Sequence, residues 1–156
     1  FDVNSNYNQL VDDFFDNYFG PASKPMRQFF DEMVALMNHN QNTYEEVTGN
    51  IYFNMEQTKY WPKKTLDGWL ALCDEAYASI EGLKKTDPAR YEAIARNIKL
   101  ETIFPRYALL QLYKASYTQS QFIEMAKTLK ADCEEFKIRM ESEGGKIDLI
   151  FSEWGV

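Results

Sequence analysis

The chain has 156 residues, 45% of them hydrophobic, and a formal net charge of -7, enough for one domain with a sizeable core. Its cations are scattered, with Lys63-Lys64 and Lys84-Lys85 the only doublets, so neither nucleic acid nor an anionic membrane is an expected partner, since both need clustered Lys and Arg. Seven Gly and five Pro are few beside ten Tyr, eleven Phe and three Trp, a balance that suits long helices better than a turn-rich β fold. No apolar run approaches the roughly 20 residues of a membrane span.

In chain order, Asn4-Ser5 offers N-cap chemistry to a first helix. Tyr7, Leu10, Val11, Phe14, Phe15 and Tyr18 recur at i, i+3, i+4, i+7 and form its expected inner stripe, with Asp12, Asp13, Asp16 and Asn17 outside. Gly20-Pro21 stops that helix, because glycine tolerates a left-handed cap and proline cannot continue the ladder. A second helix follows at once, with Met26, Phe29, Phe30, Met33 and Met37 inside, so the two should pair as a helical hairpin.

From Asn38 to about Lys64 the periodicity fails. Asn38 to Thr43 is polar and turn-like, and Tyr44 to Trp61 mixes aromatic and β-branched residues up to Pro62. The stretch 38-64 is read as a long irregular connection, of the kind that either packs on its own domain or serves a site. Tyr44, Tyr52, Phe53, Tyr60 and Trp61 are its aromatic residues. They either pin the loop to the domain or present a surface for sugar stacking or partner docking, with Tyr52, Tyr60 and Trp61 as the contact candidates.

Thr65 is the expected cap of a third helix, with Leu66, Trp69, Cys73, Ala76, Ile80 and Leu83 on its inner face. Asp87-Pro88 is the clearest start signal in the chain, a capping acid followed by proline at the first helical position. Tyr91, Ile94, Ala95 and Ile98 then lead towards Pro105, whose missing N–H predicts a break near 100–104.

The stretch Ile103 to Tyr117 reads as a central helix, apolar over most of its circumference. Arg106 falls inside an apolar face between Tyr113 and Tyr117, where a guanidinium needs a carboxylate or carbonyl partner. Two readings stand: a structural ion pair or snorkelling side chain, or a contact to a carboxylate or sugar hydroxyl at a cleft. Thr118-Gln-Ser-Gln121 is a capping box for a last long helix, with Phe122, Met125, Ala126, Leu129, Cys133, Phe136 and Met140 inward and an end at Gly144-Gly145. The tail from Lys146 to Trp154 is too apolar to stay in water and should fold back.

These elements amount to an all-α fold, a helical bundle of about five main helices in one domain over 1-156. Cys73 and Cys133 sit on predicted inner faces as core side chains, a disulfide being the alternative. The catalytic inventory is thin. His39 is the only histidine, no G-x-S-x-G nucleophile, Glu-x-x-His pair or glycine-rich phosphate loop is present, and Asp12-Asp13, Asp74-Glu75 and Glu134-Glu135 lie on polar faces. No catalytic residue, cofactor or metal ligand is therefore expected of this chain.

Residues Asp13-Phe-Phe-Asp-Asn-Tyr-Phe-Gly-Pro-Ala-Ser-Lys-Pro-Met-Arg-Gln-Phe-Phe-Asp-Glu-Met33 resemble a "helix, Tyr-(Tyr/Phe)-Gly-x-Ala, helix" hairpin. That hairpin follows the catalytic barrel in bacterial glycosidase-like proteins of the domain-of-unknown-function family 4838, which is similar to α-glucuronidases and β-hexosaminidase-type enzymes. Thr65 to Ile80, with Leu70, Cys73, Asp74 and Ala76, and Arg106 to Tyr113 are looser matches to later helices of that family. The resemblance implies that Gly20-Pro21-Ala22 lets two helices meet closely, and that the barrel with its catalytic carboxylates lies upstream of Phe1. It implies a bacterial, extracytoplasmic protein whose C-terminal helical domain packs on the barrel, lines part of its sugar cleft and takes part in a homodimer. The chain opens on Phe1 rather than Met, so a processed product or a piece of a longer polypeptide is expected. The leading expectation is a non-catalytic accessory domain of a carbohydrate-active protein, with the upstream catalytic domain and carbohydrate as partners. The alternative is an independent helical protein-interaction module using Tyr44 to Trp61 or the Trp154 tail. An enzyme in its own right comes third.

Overall fold

A computed structural model of the chain describes residues 6–47, 56–142 and 145–156. The fold is an all-α helical bundle, as expected, with one short strand pair among the described residues. The packing groups the chain into two compact units, 1–53 with 68–101 and 54–67 with 102–156.

The first unit holds α1 (Tyr7–Phe19), α2 (Ser23–Thr43), most of α3 (Lys63–Ile80), the single turn α4 (Leu83–Thr86) and α5 (Pro88–Glu101). Asn6 caps α1, its side-chain oxygen accepting the Asn8 amide at 3.0 Å; Asn4-Ser5 lie outside the described residues. Gly20 closes the helix at φ 53° with its amide on the Asp16 carbonyl, and Ala22 beyond it is fully buried. A Cβ on Gly20 would stand 3.0 Å from Ile94 Cδ1, so this glycine admits α5 against the hairpin turn. The Asn97 amide, donating to the Tyr18 carbonyl at 3.0 Å, fixes the same contact. The close approach is thus to α5, in addition to the pairing of α1 with α2 by Phe15 on Phe30 at 5.3 Å.

Four expectations need correction here. On α1 only Phe15 and Phe19 are buried, while Tyr7, Leu10, Phe14 and Tyr18 of the expected inner stripe are 76%, 55%, 53% and 36% exposed. The apolar arc of α1 is wider than the part its neighbours cover. Asn38 to Thr43 is the end of α2, not a turn, with Asn40 buried; polar residues continue a helix readily where its last turns face water. The expected connection therefore starts only after Thr43, and among its described residues Glu45–Val47 form a 3-10 turn. Thr65 is not a cap, because α3 already starts at Lys63 and the Pro62 carbonyl takes the Thr65 and Leu66 amides at 2.9 and 3.2 Å. At its other end α3 stops at Ile80, short of Leu83. The inner face of α3 is otherwise as read, with Leu66, Trp69, Cys73, Ala76 and Ile80 buried, and Asp87 caps α5 by accepting the Arg90 amide at 3.1 Å.

The second unit holds the residues before α3, α6 (Ile103–Leu112), α7 (Gln119–Glu135), the strands β1 (Met140–Ser142) and β2 (Gly145–Lys146), and α8 (Ile147–Glu153). The break that Pro105 predicts falls at Thr102. The central helix ends at Leu112, not Tyr117, and a 3-10 turn follows over Lys114–Ser116. It must end early, because the Thr118 capping box needs extended backbone at Thr118. That box is fully made, Thr118 Oγ1 accepting the Gln121 amide at 3.3 Å and Gln121 accepting the Thr118 amide at 2.9 Å.

The last long helix stops at Glu135, well before Gly144. Lys137 takes φ 58°, and the Ile138 amide returns to the Cys133 carbonyl at 2.8 Å, a Schellman closure without its usual glycine. β1 then pairs antiparallel with β2, Met140 opposite Lys146; the helical spacing of Phe136 and Met140 had concealed this hairpin. The tail folds back as expected, with Ile147, Phe151 and Trp154 buried.

Candidate functional site

Of the four contact candidates, Tyr52 lies outside the described residues. Tyr60 is fully buried, with the Lys59 ammonium 4.7 Å above its ring, so it offers no face to a ligand and is a core residue. Arg106 takes the structural reading. Its Nη1 donates to Asp132 Oδ2 on α7 at 2.5 Å, and the two side chains are only 18% and 8% exposed. Thr102 Oγ1 stands 3.4 Å from the same nitrogen. Asp132 is the partner that the sequence reading missed, although an acid between Leu129 and Cys133 on an inward stripe, facing a lone buried arginine, is its signal.

Trp61 is the candidate around which other groups gather. It is half-buried and its ring meets Phe104 edge to face at 4.8 Å, 71° between planes. Its carbonyl accepts the Tyr113 hydroxyl at 2.9 Å, which ties the residues before α3 to the end of α6. Phe104, Tyr107 and Gln111 fall at i, i+3 and i+7, so they share one face of α6. From that face the Tyr107 hydroxyl donates to Glu56 Oε1 at 3.1 Å and the Gln111 amide to Oε2 at 3.4 Å. Tyr107 in turn stacks on Trp154 at 5.9 Å and 30°. Arg106, two residues from Phe104, points from the other side of the helix and is no part of this surface.

The result is a surface of mixed character: aromatic rings at Trp61 and Phe104, the latter 38% exposed, beside an exposed carboxylate that a phenol and an amide hold in place. Rings of this kind stack on the apolar faces of sugars, and an oriented carboxylate accepts from their hydroxyls. Nearby, Lys63 pairs with Asp67 at 2.8 Å and lies 5.8 Å over the Tyr117 ring. The hydrogen bond to Asp67 raises its pKa above the ordinary lysine value, and burial raises that of the Tyr117 phenol. Glu56, Phe104, Tyr107 and Gln111 were not singled out from sequence. Glu56 stands 51 residues from Tyr107, and no local pattern announces such a contact.

Cys73 and Cys133 are both buried free thiols, and burial pushes Cys73 up to about 12 and Cys133 up to about 11. Thiols so protonated are poor nucleophiles. Burial also raises the Glu101 carboxyl above its ordinary value. His39 is exposed on α2, with Thr43 Oγ1 3.3 Å from its Nδ1. Among the described residues no group of three or more His, Cys, Asp or Glu gathers as a metal site, and no helix is long and apolar enough to cross a membrane. No family model, no curated protein and no solved structure matches this chain.

Proposed function

We propose that this chain is a non-catalytic helical accessory domain of a bacterial, extracytoplasmic carbohydrate-active protein. In this reading it packs on an upstream catalytic body of the same polypeptide and contributes sugar contacts at one wall of the cleft. The observation that carries it is the Trp61 surface, where the Trp61 and Phe104 rings meet edge to face on the same face of α6 from which Tyr107 and Gln111 hold the Glu56 carboxylate. Aromatic rings beside an oriented carboxylate are groups suited to contacting a sugar. An antibody against the chain tests the link to a larger body. A band far above 18.3 kDa in source cells supports it, and a band at that mass overturns it.

A second reading, an independent protein-interaction module, is favoured by a different observation. The outer face of α1 leaves Tyr7, Leu10 and Phe14 more than half exposed, and large apolar side chains contiguous on one helix face are commonly covered by another protein.

A further inference from the structure

The exposed residues of α1 are not scattered. Tyr7, Leu10, Phe14 and Tyr18 fall at i, i+3, i+7 and i+11, one continuous stripe about 16 Å long at 1.5 Å per residue. Phe15 and Phe19, on the adjoining arc, turn into the unit. Phe30 of α2 packs on Phe15. Val34 and Met37, one and two turns further along α2, are also exposed, at 58% and 40%.

The charge around this stripe selects what covers it. α1 contains three aspartates and no Lys or Arg. Asp12 is taken up by Arg27 at 2.6 Å, and Asp16 borders a shallow groove with Lys24 and Arg27. Asp13 lies on the outer flank of the stripe, exposed, and among the described residues no cation pairs with it. A second copy of the chain fits poorly. Antiparallel pairing that sets Leu10 against Phe14 of the other copy brings the two Asp13 carboxylates side by side, and like charges so placed oppose association. A cationic flank removes that penalty.

We propose that the outer face of α1 is a docking site for an amphipathic helix of about three turns, apolar on one side and carrying Lys or Arg on the flank that meets Asp13. The occupant lies in a grooved, helix-on-helix arrangement, with Leu10 and Phe14 at its centre and Tyr7 and Tyr18 at its ends. The inference is independent of the sugar reading, since Trp61 belongs to the other unit.

The test uses the 156-residue chain and two designed helical peptides with the same leucine stripe, one flanked by Lys and the other by Glu. Binding is read by fluorescence anisotropy of the labelled peptides. The Lys peptide should bind saturably, with a Kd about tenfold or more below that of the Glu peptide, and added salt should narrow the gap. Phe14→Ser and Leu10→Ser should each weaken binding by about tenfold while the chain stays folded by circular dichroism, because both side chains are over half exposed. Asp13→Lys should reverse the preference between peptides, and Trp61→Ala should leave it unchanged. Equal binding of both peptides, or binding indifferent to Phe14→Ser, overturns the proposal. So does a concentration-dependent dimer in sedimentation equilibrium that Phe14→Ser abolishes, which would assign the face to a second copy.

Discussion

Arg106 on α6 and Asp132 on α7 hold the second unit together by a charge-assisted hydrogen bond of 2.5 Å between side chains 18% and 8% exposed. Removing one partner takes this hydrogen bond from a charge that stays buried, which costs more than the pair contributes. Arg106→Met should lower stability by about 3 kcal/mol, a fall in melting temperature of about 6–12 °C for a chain of this size. The double variant Arg106→Met/Asp132→Leu should recover most of that loss. Calorimetric melting of the four proteins of the cycle checks this; an unchanged melting point in Arg106→Met would mean that the pair is solvated.

Glu101 closes α5 at the end of the helix dipole where an acid is unfavourable, and burial raises its pKa. A carboxyl raised in the folded state favours folding below its ordinary pKa, and that contribution is lost as pH rises through the folded value. At neutral pH the charged form is therefore a net cost. Glu101→Gln should raise the melting temperature at pH 7, and the gain should shrink as the solution is acidified. A loss of stability at pH 7 would reveal a partner for the carboxylate.

The two thiols set an alkaline limit. Burial carries Cys73 from its ordinary 9.0 to about 12 and Cys133 to about 11, so the unfolded chain ionises first. Their contribution is complete below pH 9 and lost as pH climbs to 11–12. Relative to the parent, Cys73→Ala should flatten the decline in stability between those limits, even with its cost in packing at neutral pH. In the native chain at pH 8 neither thiol should react with a disulfide reagent, and both should react in guanidinium. Rapid native labelling of Cys73 would contradict its burial.

Two helices of the second unit end in the same closure, one with the residue that suits it and one without. After α8, Gly155 takes φ 80° and Val156 bonds back to Phe151 at 3.0 Å. After α7, Lys137 takes φ 58°, a left-handed conformation that strains a residue with a Cβ. Lys137→Gly should therefore stabilise the chain by about 0.5–1 kcal/mol, read as a rise in urea midpoint at constant m-value. A fall would show that the lysine side chain has a contact worth more than the strain.

Local chemistry was legible in the sequence and neighbourhood was not. The Asp87-Pro88 start, the Thr118 and Gln121 capping box and the Pro105 break each depend on a few adjacent residues, and all three are formed. The face of α1 was misjudged because periodicity marks an apolar arc without saying how much of it neighbours cover; Phe15 and Phe14 are adjacent, yet one is buried and the other exposed. The end of α7 was misplaced for a related reason, since Phe136 and Met140 keep helical spacing beyond the turn at Lys137. At the candidate site, Trp61 stood out by type and Arg106 by context. Glu56, Tyr107 and Asp132 acquire their roles only from contacts between distant segments.

The most direct measurement on the central claim is isothermal titration of the intact chain with uronic-acid-bearing and N-acetylhexosamine oligosaccharides, beside the Trp61→Ala and Glu56→Gln variants. The expected result is saturable binding of at least one oligosaccharide, weakened about tenfold or more by either substitution in variants that keep the parent's helical circular dichroism. Heats that never saturate, or equal affinity of parent and Trp61→Ala, would contradict a sugar-contacting accessory domain.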